Sequence, residues 1–324
     1  MQINQIGGEF ALIDRLRRLV PSRCRELIVG IGDDAAVLKT ADEGRYQLVT
    51  SDLLVENQHF NFSWGGPEEA GFKAVEANVS DIAAMGGEPT VMLVSLALPR
   101  QTPVETVEAL YRGMGRACRR NGVTVAGGDT TRGGAITISI TLLGSVAVER
   151  LCLRSQARVG DLIGITGPLG ASAAGLALLQ RKLAATPYLR RKHLAPECRL
   201  DAAPLLAPLV NAMIDVSDGL APEVGHICSQ SGVGARIFAA EIPLHPDVTA
   251  AAAALDRDPL TFALGGGEDY ELLFTIAPCR LEGLRRTGLA ITVVGAITPA
   301  ADGRLLVGAD GAARALQGGY NHFV

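Results

Sequence analysis

Six short segments, far apart in the chain, set acidic side chains beside glycines or apolar runs. They are Asp33-Asp34 in GIGDDAAV, Asp52 in VTSDLLV, Asp81 in NVSDIAAMGG, Asp129 in VAGGDTTRGG, Asp215 and Asp218 in MIDVSDGLAP, and Glu268-Asp269 in LGGGEDYELLF. A carboxylate among apolar neighbours is costly unless something compensates its charge. A fold that gathers these segments makes an oxygen-rich site suited to Mg2+, which favours carboxylates and commonly serves phosphate chemistry. The first expectation is a metal-dependent enzyme acting on phosphorylated substrates.

The 324 residues are 48% hydrophobic and only 4% aromatic, with 38 glycines, which fits a compact α/β protein with many tight turns and room for two domains. A formal charge of -4, without a long basic tract, argues against a nucleic acid partner. Cys24, Cys118, Cys152, Cys198, Cys228 and Cys279 form no CxxC or Cys/His cluster and read as reduced thiols of a cytoplasmic protein. The start, MQINQIGGEFALIDRL, does not read as a signal peptide, and no apolar run is long enough for a membrane span.

Apolar spacing predicts a helix over Phe10–Leu19, a strand at Leu48–Thr50 ending beside Asp52, and a helix over Pro67–Met85 stopped by Gly86-Gly87. A strand at Val91–Leu98 and a helix from Val104 to Arg120 lead to VTVAGG and ITISITLLG. A second unit begins near Leu151, with strands at Asp161–Thr166, Ala212–Val216, Tyr270–Ile276 and Ile291–Ile297. Between them GPLGASAAGLALL reads as a turn entering a helix, and Leu220, Val224 and Ile227 mark another helix. Composition thus divides the chain into 1–150 and 151–324, with a site expected between the units. The mixture argues for α/β packing without establishing a parallel strand order.

Each acidic motif also has a plain structural reading. GDD is as readily a turn as a site, and the Ser and Asp of Thr50-Ser51-Asp52 can cap a helix as well as bind a cation. Asp81 reads as the polar face of a surface helix or, with Asn78 and Ser80, as a site on a packed helix. GGDTTRGG around Asp129 reads as a polar loop, with close phosphate approach as the alternative. Ser217 or Asp218 caps the following helix or serves Mg2+, and Glu268 or Asp269 contacts substrate at a strand entry anchored by Leu272, Leu273 and Phe274. TGPLGAS lacks the Lys-Ser/Thr ending of Walker A and reads better as a turn than as a phosphate loop.

In order and spacing, GIGDDAAV, TSDLLVENQHF, NVSDIAAMGGEPT, AGGDT, LRS, DVSDGLA, GGGEDYELLF and GGYNHF resemble the thiamine-monophosphate kinase family of the PurM-like superfamily over nearly the whole chain. The resemblance implies a PurM-like two-domain α/β fold. The N-terminal domain would form a dimeric sheet or barrel interface, and the C-terminal α/β domain would complete the active-site cleft. It implies transfer of the ATP γ-phosphate to thiamine monophosphate, with several Mg2+ ions, direct in-line displacement and no assigned general base. By resemblance the metal ligands are Asp34, Ser51, Asp52, Asp81, Asp129, Asp215 and Asp218. Thr50, Ser51, Asp52, Tyr111, Gly128, Asp129, Arg154 and Ser217 match nucleotide-side positions, with Arg154 as a phosphate contact. His59, Glu268 and Tyr320 match the substrate side.

Two departures bear on the acceptor site. VENQHF stands where a VEGVHF-like run is usual, so Asn57 replaces a flexible glycine and Gln58 an apolar residue. The competing readings are another ATP-dependent PurM-like enzyme, such as aminoimidazole ribonucleotide synthetase or selenophosphate synthetase, and a silent nucleotide- or thiamine-phosphate-binding protein. A hydrogenase-maturation relative would be favoured by a C-terminal cysteine, whereas this chain ends NHFV.

Overall fold

The computed structural model describes residues 9–21 and 24–319, so Tyr320 and the following Asn-His-Phe lie outside the described residues. The first half runs α1 (Glu9–Arg17), β1 (Leu27–Val29), β2 (Ala36–Lys39), β3 (Arg45–Val55), α2 (Pro67–Ala84), β4 (Glu88–Leu98), α3 (Val104–Asn121), β5 (Thr124–Arg132) and β6 (Thr137–Ala147). Its six strands form one sheet in the order β1-β2-β3-β6-β4-β5, antiparallel except for the β4–β5 pair. β6 alternates between buried and half-buried positions along its whole length, as a strand covered on one face does. The covered face packs Val37, Leu48, Ile138, Ile140 and Leu142 with Val75 and Ile82 of α2 and Leu110 and Met114 of α3. On the opposite face Leu53 and Leu93 remain 54% and 43% exposed.

The second half runs β7 (Leu162–Ile165), α4 (Ala171–Gln180), α5 (Pro187–Leu194), α6 (Ala203–Leu206), β8 (Ala212–Asp215), α7 (Leu220–Ser231) and β9 (Val233–Phe238). It continues through α8 (Pro246–Ala254), α9 (Leu260–Gly265), β10 (Leu272–Ile276), α10 (Pro278–Arg285), β11 (Thr292–Pro299), β12 (Arg304–Val307) and β13 (Ala313–Ala315). The second sheet has the order β13-β12-β9-β11-β7-β10-β8, with β12–β9 its parallel pair. β8 and β10 are buried at every position, which places the end of β8, and Asp215 with it, deep in the molecule.

The two halves meet on α2. Gly66 precedes the helix, Pro67 supplies a pre-set φ at its first position, and the Glu69 carboxylate accepts the Gly66 N–H at 2.6 Å. Its end is buried from the other side, where Ala83 and Ala84 pack with Cys152, Leu206, Met213 and Phe274. α2 and α3 cross at two glycines. A Cβ on Gly71 would lie 2.0 Å from the Leu110 carbonyl oxygen, and one on Gly113 1.8 Å from that of Glu68.

Several expectations shift. β3 continues through Asp52 instead of ending beside it, because it pairs with β6 over its full length. GGDTTR is strand, not loop: parallel pairing of Leu93–Leu98 with Gly127–Arg132 overrides the low strand preference of its glycines. Among the described residues no helix is long and apolar enough to cross a membrane. Because a methyl on Gly113 must push two backbones apart, Gly113→Ala is expected to cost about 1–3 kcal/mol of stability. Thermal unfolding checks this, and an unchanged melting temperature would contradict so close a crossing.

Candidate active site

The loop before β2, the middle of β3, the C-terminal half of α2 and the end of β8 bring their acids to one place. Asp34, Asp81 and Asp215 each offer an oxygen, and these oxygens lie within 4.8 Å of one another. Burial, and then the neighbouring carboxylates, push Asp81 well above the usual carboxylate range. Asp215 is raised in the same direction by burial and by Asp34. Asp52 stands beside the cluster, raised to about 6 by burial and the Asp34 charge, and Asp33 is raised to about 7 by burial and Asp34.

Protein groups compensate part of this repulsion. The Thr50 hydroxyl donates to Asp81 Oδ2, and the Ser80 hydroxyl donates to Asp215 Oδ2 at 2.6 Å. The Asn78 side chain accepts the Asp52 N–H at 3.2 Å, which fixes the main chain there without offsetting the carboxylate charge. The Arg154 guanidinium donates to Asp34 and lies 3.7 Å from Asp33, whose other oxygen accepts the Arg154 N–H. Hard oxygen donors in this number and proximity suit Mg2+ in type and spacing.

The remaining expected ligands stand differently. The Ser51 hydroxyl lies 3.3 Å from Thr141 Oγ1 on the outer sheet face, since strand alternation turns it away from Thr50 and Asp52. Asp218 lies on the turn before α7, where its N–H donates to the buried Glu223 at 2.9 Å. The Ser217 hydroxyl contacts the same carboxylate at 3.4 Å. Gly128 and Asp129 are exposed on β5, three strands from β3 across the sheet, roughly 14 Å at ordinary strand spacing. Tyr111 is 40% exposed on α3.

Toward the N-terminal half of α2 lies a second group. Glu268 Oε1 meets Lys73 Nζ at 2.5 Å, and Oε2 faces His193 Nδ1 at 3.4 Å. Burial alone would raise Glu268, but Lys73 and then His193 outweigh it and hold the carboxyl at about 2. Lys73 also donates to the His59 carbonyl at 2.9 Å. His59 Nδ1 accepts the Val55 N–H at 3.0 Å, so the neutral ring carries its proton on Nε2. The neighbouring Asn57 has φ 66, a left-handed conformation that Asn tolerates, so this departure from glycine keeps the turn. Beside the group is a narrow cleft, about 10 Å³ in cavity volume, with Phe60, Phe62, Gly65 and Leu194 among its walls. Asp269 is structural: its carboxylate accepts the N–H groups of Gly170 and Ser172 at the start of α4, which also makes TGPLGAS a turn held by protein.

Lys73, His193 and Glu223 are not singled out by sequence reasoning as site residues, whereas Ser80, read with Asn78 and Asp81 as a site on a packed helix, meets Asp215 there. Lys73 and Ser80 are seven apart on one helix, and that spacing puts them on the same face. His193 and Glu223 lie in no motif.

Known proteins resemble this chain in sequence and fold. Residues 32–146 match the family model described as AIR synthase related protein, N-terminal domain, and residues 158–308 match its C-terminal domain. The chain is 36% identical over 308 residues to the thiamine-monophosphate kinase of Bacillus subtilis, covering 91% of this chain and 93% of that one. It is 38% identical over 279 residues to the thiamine-monophosphate kinase of Aquifex aeolicus, covering 85% and 87%. The solved structure of AaThiL complexed with AMPPCP and TMP superposes with a TM-score of 0.88 at 34% identity, covering 100% of this chain and 99% of that one.

The raised carboxyls carry a consequence for pH. A folded-state pKa above the unfolded value means the native protein holds protons that the unfolded chain releases, so stability falls as pH rises from about 4 through 6 to 7. In metal-free buffer the melting temperature is expected to fall between about pH 5 and about pH 8, and Asp81→Asn to lessen that fall. Calorimetric melts of both proteins across this range check it; parallel profiles would contradict the cluster.

Proposed function

The chain belongs to the thiamine-monophosphate kinase family, and from that premise we infer that it transfers the γ-phosphoryl group of ATP to thiamine monophosphate, releasing thiamine diphosphate and ADP. It has the family's two-domain PurM-like α/β fold. One observation carries the inference: α2 holds the carboxylate cluster at Ser80 and Asp81 and the Glu268 group at Lys73, eight residues or roughly 12 Å apart along the helix. Such a span seats the heteroaromatic end of the acceptor at one group and its phosphate at the other. AaThiL, which this chain matches along its length, binds AMPPCP and TMP.

Asp34, Asp81 and Asp215, with Asp52 beside them, are the residues that would hold Mg2+, which would supply neutralisation of the phosphate charge. Arg154 adds a cation at the same place, held by its contact with Asp34, and is assigned to phosphate contact on the family pattern. Thr50 and Ser80 fix the Asp81 and Asp215 carboxylates by hydrogen bonds, so little reorganisation is left for the reacting state. The accepting oxygen already belongs to a phosphate and needs alignment more than deprotonation. His59 is accordingly a substrate-side positioning group and not a base, which fits its Nδ1 accepting a backbone N–H.

Tyr111, Gly128, Asp129, Ser217 and Asp218 are assigned to nucleotide and further cation binding on the family pattern, as is the main chain at Ser51. Residues 1–150 then carry nucleotide binding and dimerisation, while 151–324 close the cleft. A homodimer joined through the outer face of the first sheet, in barrel-like fashion, is supported by the exposed Leu53 and Leu93. The six unpaired cysteines fit a reducing, cytoplasmic setting.

Purified protein with ATP, Mg2+ and thiamine monophosphate is expected to form ADP and thiamine diphosphate in equal amounts, and to form neither when Mg2+ is chelated. ADP without thiamine diphosphate would instead identify a different acceptor. Leu93→Glu, placed on the outer sheet face, is expected to shift the sedimentation coefficient from dimer to monomer; an unshifted coefficient moves the interface elsewhere.

A further inference from the structure

Lys73 is 1% exposed on α2. A buried ammonium is costly, and where only packing is needed an apolar residue of similar length serves as well or better. Its engagement is specific: one bond goes to Glu268 Oε1 at 2.5 Å and one to the His59 carbonyl at 2.9 Å. The other Glu268 oxygen faces His193, and the Ser172 hydroxyl lies 3.1 Å from the same His193 nitrogen. The main chain of Glu268 is held as firmly. It is left-handed at φ 64, and its N–H donates to the Ser217 carbonyl at 2.8 Å. A Cβ on the preceding Gly267 would lie 2.1 Å from that carbonyl oxygen, so the turn admits no side chain there. A left-handed non-glycine residue held from several sides is a pattern met at functional sites.

Two helices and a strained turn therefore fix one carboxylate, whose side chain is 24% exposed. Both of its partners, Lys73 and His193, line the pocket walled by Phe60 and Phe62. We propose that Lys73 is a positioning residue of the acceptor site, acting through Glu268 to present an ionised carboxylate to the N–H-bearing heteroaromatic part of the acceptor. The inference rests on the kinase reading above and adds to it the residue on which acceptor recognition depends. Without the lysine, this half-buried carboxylate is free to protonate or turn away, and a charge-assisted hydrogen bond to the acceptor is lost.

The test is steady-state kinetics on the full chain with each substrate varied, for Lys73→Met, Lys73→Arg, Glu268→Gln and the Lys73→Met/Glu268→Gln double variant. Lys73→Met is expected to raise KM for thiamine monophosphate about 10- to 100-fold, the worth of one charged hydrogen bond, with KM for ATP within about twofold. Lys73→Arg is expected to recover part of the loss. Adding Lys73→Met to Glu268→Gln is expected to change the acceptor KM little further, since both act through one carboxylate. Additive losses, or equal effects on both substrates, would reduce Lys73 to a packing role and overturn the proposal. If Lys73→Met does not fold, the same cycle is run with Lys73→Gln, which likewise removes the charge, and read by the same rule. Calorimetric titration with thiamine monophosphate separates the two levels of the reading. Wild-type protein that binds it without turnover removes the kinase function alone, whereas equal binding by wild type and the Lys73 variant removes the positioning role.

Discussion

Repulsion among carboxylates packed close together out of water is the constraint around which this molecule is arranged. Asp34, Asp81 and Asp215 place oxygens within 4.8 Å of one another, with Asp52 alongside. At that separation like charges in a protein interior repel by several kcal/mol, about 4 at an effective dielectric of 20. Two devices hold them there. Short hydroxyl donors from Thr50 and Ser80 fix individual oxygens, and the Arg154 guanidinium spans Asp33 and Asp34. The charge that remains is an attraction for a divalent cation, so local destabilisation and function share one origin.

The helix α2 translates this constraint into geometry. It is covered by the first sheet and α3 on one side and by Cys152, Met213 and Phe274 on another, so polar groups along it must find partners inside the protein. Each does so in a way that ties distant segments together: Lys73 to Glu268, Glu76 to Asn121 and the Cys198 N–H, Ser80 to Asp215, Asp81 to Thr50. The glycine crossing with α3 and the tight start at Gly66-Pro67 set the helix at a fixed depth. A rigid rod with the Glu268 group toward one end and the carboxylate cluster toward the other keeps the two in register.

Legibility in the sequence follows from which signals are local. Asp34, Asp81 and Asp215 stood out because acids against glycine or apolar residues are unusual, and the structure brings those three together. The long helices and most strands were visible in apolar spacing, since each buries one face or stripe. What escaped depends on partners distant in sequence. Lys73 looks like a surface lysine until Glu268, almost two hundred positions away, packs over it. His193 lies on a short, highly charged helix with no motif. Only the family resemblance separates Glu268 from Asp269, because whether an acid faces the pocket or caps α4 is decided by a left-handed turn that spacing does not reveal. GGDTTR read as a loop because parallel pairing with β4 is a long-range effect that glycine content conceals.

The central claim is that alignment and charge neutralisation around the acids gathered beside α2, without a covalent intermediate on the protein, move the phosphoryl group. Its most direct test is the stereochemical course with ATP made chiral at the γ-phosphorus by oxygen isotopes, read on the thiamine diphosphate product. Inversion at phosphorus is the result predicted for a single in-line transfer between aligned substrates. Retention would require two displacements through a phosphorylated side chain and would contradict the account.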